Sequence, residues 1–286
     1  MPDRERLQQL LKASSRTFAL SIPRLPDPLR DEVALAYLVY RIADTLEDEG
    51  EATCRQRVAA LSQLQQCLKD EQCVAELVED WLANHPPDHP GYVELLRNGD
   101  WVVDQLKELA PEASSNIRHY VGRTILGMIE RLDCDDAGPR GLAGVRAYCY
   151  SVAGIVGELC TELFILHHAP LVPDRERLLT LSVAFGETLQ LVNIIRDQHA
   201  DHAAGRNFVP GQVPTDQLID LAHQVCDQSR EYIAMLERRD VPEGILRFNQ
   251  INLGLAVATL DLLRNQGPGV KLTREHVARL VESCDP

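Results

Sequence analysis

Aliphatic residues at helical spacing dominate this chain. In the segments DEVALAYLVYRIADTLEDE (31–49) and LSVAFGETLQLVNII (181–195), Leu, Val, Ile and Ala recur three or four positions apart, with almost no alternation of strand type. The 286 residues, 45% of them hydrophobic, can bury a substantial core in one large domain or two small ones. We find no internal repeat and no low-complexity segment. The sequence therefore predicts an all-α fold, in a single domain over residues 1–286.

Prolines and glycines divide the pattern into separate helices. We expect Asp27 or Asp31 to cap the helix that follows, and Gly50 to end it. Loops are expected at NHPPDHPG (84–91) and DDAGPRGLAG (135–144). Further helices are predicted over residues 52–69, 73–83, 91–109, 114–133, 145–168, 174–202, 215–239, 243–265 and 273–283.

The charge balance excludes one class of ligand. With 43 acidic and 29 basic residues, the net charge of −14 would repel the phosphate backbone of a nucleic acid. We therefore expect no nucleic-acid partner. An acidic protein that binds an anionic substrate needs well-placed basic side chains, or divalent cations held by its own carboxylates.

Cysteine usage and hydropathy indicate the cellular environment. The eight cysteines have no zinc-site spacing, which favours a reduced, cytoplasmic setting. The N-terminal segment MPDRERLQQLLKASSRTF lacks the apolar core of a signal peptide. Residues 251–263, the longest apolar stretch in our reading, are interrupted by Asn252 and Asp261 and fall short of the roughly 20 residues that span a bilayer. We expect a cytoplasmic protein with at most peripheral membrane contact and no obligate protein partner.

Two acidic motifs stand out. On a helix, residues four apart project from the same face, so each motif forms a polar stripe. In YLVYRIADTLED the stripe is Tyr37, Arg41, Asp44 and Asp48. In LQLVNIIRDQHAD it is Gln190, Asn193, Asp197 and Asp201.

A solvated ion pair is the ordinary interpretation of either motif, because composition alone predicts about six acidic pairs at this spacing. The surroundings favour a function instead. Both motifs follow strongly apolar runs, where carboxylates are costly unless they are paired or bind cations. If the two helices face each other across an apolar cavity, their carboxylates would hold Mg²⁺ and a substrate diphosphate. The metal would neutralise charge as the diphosphate leaves.

Four blocks of the sequence resemble the squalene and phytoene synthase family, and its squalene synthase branch in particular. They are SSRTFALSI (14–22), YLVYRIADTLED (37–48), YCYSVAGIVGELCTELF (148–164) and LQLVNIIRDQHADHAAGRNFVP (189–210). Together they span most of the chain. DTLED is closer to the squalene synthase form of the first motif than to the doubled-aspartate form of phytoene synthases.

The resemblance implies an all-helical isoprenoid-synthase fold with a central cavity that takes two molecules of farnesyl diphosphate. It implies that Mg²⁺ and diphosphate are bound by Asp44, Glu47, Asp48, Asn193, Asp197 and Asp201. Contacts to substrate or nucleotide are implied for Ser15, Arg16, Thr17, Tyr37, Arg41, Gln190, Arg196 and Arg206. Tyr148 resembles the family tyrosine near the reacting carbons. Without the family resemblance, Tyr37 and Tyr148 are equally well explained as aromatic residues of the core, and Arg16 and Arg206 are equally well explained as surface residues.

The C-terminal segment bears on the outcome of the reaction. Residues 251–280 resemble the part of squalene synthases that ends in a basic loop at the NADPH site, with Lys271 and Arg274 at basic positions. Thr273 departs from this pattern. In the second acidic motif Ala200 is a further departure, because the family usually has an acidic residue just before the last aspartate. The expected function is therefore condensation of two farnesyl diphosphates through presqualene diphosphate to squalene, with NADPH as reductant.

Other functions remain open at this stage. A phytoene or dehydrosqualene synthase, or an enzyme that stops at presqualene diphosphate, would share the same motifs. A terpene cyclase would use a single prenyl diphosphate, and the block at 148–164 argues against it. A non-catalytic helical assembly factor would have lost the aspartates, which are present here.

Overall fold

The computed structural model describes residues 3–15, 17–71, 73–133, 141–203, 208–209 and 213–284. Every regular element in these ranges is helical, and none is a strand, which confirms the predicted all-α class. The contacts group into two compact units, one within residues 1–23 and 27–135 and the other within 24–26 and 136–286. A single domain stays a prediction.

The first unit contains eight α-helices in its described residues. They are α1 (Arg4–Ser14), α2 (Phe18–Ser21), α3 (Leu29–Asp48), α4 (Cys54–Asp70), α5 (Ala75–Asn84), α6 (Pro90–Arg97), α7 (Gly99–Asp104) and α8 (Pro111–Asp133). A short 3₁₀ turn at Gln105–Glu108 also lies in this unit, and another, Ile22–Arg24, begins in it.

Helix α3 is the central element of this unit and packs against α1, α4, α6, α7 and α8. Leu35, Leu38 and Ile42 on α3 are completely buried, as the apolar run predicts. The predicted aspartate cap is wrong. The helix begins at Leu29, directly after a proline, and no side chain caps it. Asp31 lies in the first turn instead, where it accepts a hydrogen bond from Arg4 Nε at 2.9 Å.

The single helix predicted over 91–109 is wrong as well, because Asn98 divides it into α6 and α7. The Asn98 amide group donates to the Glu94 carbonyl at 2.7 Å, and its oxygen accepts from Arg6 Nε at 2.9 Å. These bonds hold the junction of the two helices against α1.

The second unit contains six α-helices in its described residues. They are α9 (Gly141–Cys149), α10 (Ile155–His167), α11 (Arg175–Ala203), α12 (Thr215–Arg238), α13 (Glu243–Gln266) and α14 (Arg274–Ser283). A π-helical turn at Tyr150–Gly154 joins α9 to α10, where one continuous helix was predicted. A 3₁₀ turn at Ala169–Asp174 precedes α11.

Two glycines let α11 pack very closely on α10 and the π turn. A Cβ added at Gly157 would lie 2.1 Å from the Ser182 carbonyl oxygen, and one at Gly186 would lie 2.1 Å from that of Ala153. Buried hydroxyl pairs then join this layer to α12. Thr188 Oγ1 and Ser229 Oγ are 3.0 Å apart. A second pair, Thr161 Oγ1 and Tyr232 Oη, joins α10 to α12 at 2.7 Å.

Two helical stretches of the described chain are apolar and long enough to cross a bilayer, Gly141–His167 and Ala169–Ala203. This corrects the expectation that no stretch of the chain reaches that length. In their most apolar windows 39% and 67% of residues are buried. Buried core helices satisfy the same criterion, so the finding does not by itself indicate a membrane span.

Candidate active site

The predicted polar stripe on α3 is present and internally bonded. Tyr37 Oη donates to the Ser14 carbonyl at 3.1 Å, which fixes the phenol ring against the end of α1. Arg41 Nη2 lies 3.4 Å from the Tyr37 hydroxyl, and Arg41 Nη1 lies 3.4 Å from Asp44 Oδ2. The stripe thus presents an arginine and a carboxylate side by side.

Arg41 is held between two aromatic rings, one of which the sequence did not indicate. Its guanidinium carbon lies 5.6 Å from the ring centre of Tyr37 and 5.4 Å from that of Tyr92. Burial lowers the pKa of Arg41, but Asp44 and the two tyrosines outweigh that effect and raise it overall. Its Nε is buried and has no hydrogen-bond partner within the described residues. The arginine is therefore permanently charged and has an unpaired, buried N–H at Nε.

Tyr92 reaches this position because α6 lies close against α1. A Cβ added at Gly91 would lie 1.9 Å from the Ala13 carbonyl oxygen, so only glycine permits the contact. Tyr92 is 51 positions from Arg41 in the chain. No spacing rule connects the two residues, which is why sequence reasoning missed Tyr92.

The carboxylates of the first motif differ in environment. The Asp44 side chain is 33% exposed. Burial raises its pKa to about 6, Arg41 opposes this, and the nearby Asp48 adds to it. Asp48, one turn later, is exposed. Asp44 and Asp48 thus offer two carboxylates on one face, and Asp44 retains some protonated form near neutral pH.

Glu47 points into the protein, where it meets Arg131 on α8. Its side chain is only 5% exposed, and it accepts from Arg131 Nε at 3.0 Å and Nη2 at 2.5 Å. Burial raises the pKa of Glu47 to about 7, although Arg131 lowers it. Arg131 was missed by sequence reasoning. In this structure Glu47 is engaged by an arginine, and its role as a metal ligand stays a prediction.

The segment before α3 supplies Ser15 and Thr17. Ser15 Oγ accepts from the Phe18 backbone N–H at 3.0 Å, and the Phe18 ring lies 5.3 Å from that of Tyr37. Thr17 is exposed. These contacts place Ser15 beside the α3 stripe. Arg16 lies outside the described residues.

The second polar stripe lies on the last turns of α11. Gln190 is half-buried and Asn193 is exposed. Asp197 is held by its neighbour, because Arg196 donates Nε to Oδ1 at 3.0 Å and Nη2 to Oδ2 at 2.5 Å. Asp201 is half-buried one turn further on. The spacing prediction for this motif is confirmed by the helix that carries it.

Two further predicted positions lie at the edges of the described residues in this unit. The Tyr148 ring stacks on Phe208 with centroids 5.0 Å apart, so its face is held. Arg206 lies outside the described residues. Sequence reasoning also missed an ion pair between α9 and α11, in which Arg146 Nε donates to Glu187 Oε1 at 2.6 Å.

The C-terminal basic positions are both exposed, with Lys271 in the loop before α14 and Arg274 at its first residue. Thr273 caps α14 by accepting from the His276 N–H at 3.2 Å. This explains a threonine where a basic residue was expected. The Gly269 N–H donates to the Arg196 carbonyl at 2.8 Å, so the loop is bonded to α11.

The carboxylate oxygens of the two motifs suit a divalent cation that is also bound by oxygen atoms of a substrate. Each motif offers two carboxylates one turn apart, all hard oxygen donors of the kind that suits Mg²⁺. Among the described residues no three His, Cys, Asp or Glu side chains form a metal-binding group by themselves. Mg²⁺ commonly binds one or two carboxylates together with phosphate oxygens, so either motif suits a metal–diphosphate complex better than an all-protein cage.

Comparison with known proteins identifies relatives of the chain. The family model described as Squalene/phytoene synthase matches residues 11–216. Squalene synthase ERG9 of Candida albicans is 30% identical over 233 residues, covering 79% of this chain and 50% of that protein. In eight of the curated squalene synthases that it matches, the chain spans between 44% and 64% of the relative's length.

Solved structures agree on the fold. A ligand complex of TcSQS with BPH1237 superposes with a TM-score of 0.83 at 24% identity, covering 98% of this chain and 85% of that one. A dehydrosqualene synthase superposes with a TM-score of 0.64 at 20% identity, covering 98% and 94%. At these identities the likeness concerns the fold, and it confirms the predicted helical isoprenoid-synthase fold.

Proposed function

The chain belongs to the squalene/phytoene synthase family of prenyltransferase-type enzymes, and from this premise we propose that it condenses two farnesyl diphosphates head to head and reduces the product to squalene. The observation that carries the proposal is the α3 stripe, in which Arg41, clamped between two rings, stands beside the carboxylate of Asp44. The second carboxylate pair on α11 supports it.

In the proposed reaction, one diphosphate leaves and the second molecule's double bond captures the allylic cation. Loss of a proton then gives a cyclopropylcarbinyl diphosphate. Departure of the second diphosphate and transfer of a hydride from NADPH complete the sequence, with release of two diphosphates, NADP⁺ and squalene. Bound Mg²⁺ would supply charge neutralisation on the leaving diphosphate.

The chain's own residues have separate tasks in this proposal. In each motif the carboxylate pair would hold a cation, Asp44 with Asp48 on α3 and Asp197 with Asp201 on α11, with Glu47 and Asn193 as further oxygen donors. Arg41 would donate its unpaired Nε–H to a phosphate oxygen, while its Nη2 and Nη1 contact Tyr37 and Asp44. Tyr148, held flat by Phe208, would face the cationic carbons, where an aromatic ring stabilises positive charge. Lys271 and Arg274 would bind the nucleotide phosphates.

A second candidate is an enzyme that stops before reduction, at presqualene diphosphate or dehydrosqualene. It is favoured by one specific observation: Thr273 serves as a helix cap where the reducing branch usually has a basic residue. The likeness to a dehydrosqualene synthase fold is compatible with it. Phytoene synthesis and a non-catalytic scaffold are the remaining alternatives.

We place the reaction in the cytoplasm, with the enzyme in peripheral contact with a membrane that receives the hydrocarbon product. The negative net charge argues against tight binding to anionic lipids. This contact is therefore proposed to be transient.

The test is product analysis with purified protein, farnesyl diphosphate and Mg²⁺, with and without NADPH. Squalene that forms only with NADPH supports the leading proposal. Presqualene diphosphate or dehydrosqualene in spite of NADPH moves the protein to the second candidate. Asp197→Asn should lower the rate of product formation at least about 100-fold, whereas Asp227→Asn, a matched change at an exposed ion pair on α12, should leave that rate unchanged. Absence of any C30 product from the wild type would overturn the proposal.

A further inference from the structure

A groove of about 820 Å³ opens between the end of α4 and the first half of α8, entirely within the first unit. It is lined by four cationic side chains and one carboxylate, Lys69, Lys107, Arg118, Arg123 and Glu71. In a chain with a net charge of −14 this is a local excess of positive side chains, of which Lys107 also pairs with Asp104 at 2.9 Å on the exposed surface. None of the residues assigned to the candidate active site lines it.

Small residues on α8 keep the groove open. Ser114, Ser115 and Gly122 face it, and a Cβ added at Gly122 would meet no atom within 4 Å. Gln65 on α4 reaches across, donating its Nε2 to the Gly122 carbonyl at 3.2 Å. This bond joins the two helices beside the groove, whose volume leaves room for a ligand. Pockets of roughly 300 to 1,000 Å³ are typical of small-molecule sites.

Arg118 is the feature that points to a ligand. Its side chain is only 10% exposed. Nη1 donates to the Leu68 carbonyl at 2.8 Å and Nε to Ser114 Oγ at 3.3 Å, but Nη2 is buried and has no partner within the described part of the chain.

The charge on Arg118 is also poorly compensated. The nearest carboxylate, Glu71, is 60% exposed, and its Oε1 lies 4.0 Å from Arg118 Nε. Burial accordingly lowers the pKa of Arg118. A buried cation in this state is stabilised by any oxyanion that supplies charge and acceptor atoms together.

We propose that this groove binds a small molecule that carries two or more phosphate groups, at a site separate from the candidate active site. Several cations along one groove match several charges on one ligand, and the guanidinium fork of Arg118 matches a phosphate in geometry. The groove has a single carboxylate among its charged side chains, so binding there needs no divalent cation. Exposed Leu126 at one side adds an apolar surface that a nucleoside would cover and a bare diphosphate would not.

The test is isothermal titration calorimetry on the full chain in EDTA, at low ionic strength, with inorganic diphosphate in one arm and ADP in the other. We expect saturable binding in at least one arm. Tighter binding of diphosphate would identify the ligand of the groove as free diphosphate, and tighter binding of ADP would identify it as a nucleotide. Lys69→Gln combined with Lys107→Gln should weaken binding by about tenfold or more. These two lysines are exposed, so the variant is expected to fold.

Two further variants locate the site. Arg55→Gln removes a charge from an exposed position at the other end of α4 and should leave the affinity unchanged. Arg41→Gln alters the candidate active site and should also leave it unchanged. Absence of binding in both arms overturns the proposal. So does binding that survives the lysine changes but is lost in Arg41→Gln. Neither result bears on squalene formation, which is read from products.

Discussion

Replacing Arg131 by Met tests whether the ion pair with Glu47 keeps a buried carboxylate ionised. The pair joins α3 to α8 inside the first unit, with Glu47 only 5% exposed. Methionine retains most of the aliphatic length of arginine but removes its charge and donors. The pKa of Glu47, already about 7 because of burial, must then rise further, since Arg131 is what lowers it.

The expected magnitude follows from proton linkage. A carboxylate whose pKa is raised by folding destabilises the folded state as pH rises towards that pKa, and in the wild type this cost stops growing above about pH 7. In Arg131→Met the cost continues to grow by about 1.4 kcal/mol per pH unit. At about pH 6 Glu47 is mostly protonated in both proteins, so the variant should lose about 1.4 kcal/mol more stability at pH 8 than at pH 6.

The assay is urea unfolding at both pH values in EDTA, with the free energy of unfolding taken from the midpoint and slope. Arg131→Met combined with Glu47→Gln should lose the pH-dependent difference, because the residue at position 47 no longer titrates. Arg230→Met is the matched control, since Arg230 and Asp227 form an exposed pair at 2.7 Å, and its effect should stay within about 0.5 kcal/mol at either pH. An equal loss at pH 6 and pH 8 in the single variant would refute the reasoning.

Four other outcomes are expected. Asp197→Asn should lower the rate of product formation at least about 100-fold with an unchanged far-ultraviolet circular dichroism spectrum, and near-normal activity would remove the proposed metal role. Because the pKa of Asp44 is raised to about 6, its carboxylate is protonated at lower pH, and the Mg²⁺ concentration for half-maximal rate should be higher at about pH 5.5 than at pH 7.5. Tyr92→Leu removes one ring from Arg41 and should raise the KM for farnesyl diphosphate, whereas an unchanged KM would show that one ring suffices. Tyr232→Phe removes the hydroxyl that lies 2.7 Å from Thr161 Oγ1 and leaves the buried threonine hydroxyl without that partner. The free energy of unfolding, measured by heat or urea, should fall by about 1 to 2 kcal/mol.

The helices and the two acidic stripes were predictable because their signals are local. Apolar spacing fixes which residues of α3 and α11 are buried, and the i, i+4 rule then places Asp44 with Asp48 and Asp197 with Asp201. The errors arose where distant partners decide local structure. Asn98 divides a helix because Arg6, 92 positions away, bonds to it.

The same reason explains the site residues that were missed. Arg131 lies 84 positions from Glu47, and Tyr92 lies 51 positions from Arg41. No periodicity relates such pairs, since their proximity depends on how α8 and α6 pack against α3. Thr273 is a milder case, because its role as a cap is local and was obscured by the expectation of a basic residue.

The bond from the Gly269 N–H to the Arg196 carbonyl has a practical consequence. It attaches the loop that carries Lys271 to the helix that carries Asp197 through a backbone amide. The rate at which that amide exchanges its hydrogen with solvent measures how often the loop leaves the helix. The Gly269 amide is thus a built-in probe that needs no attached label. A ligand that binds the loop and a ligand that binds the helix can both be followed by its exchange rate in the same protein.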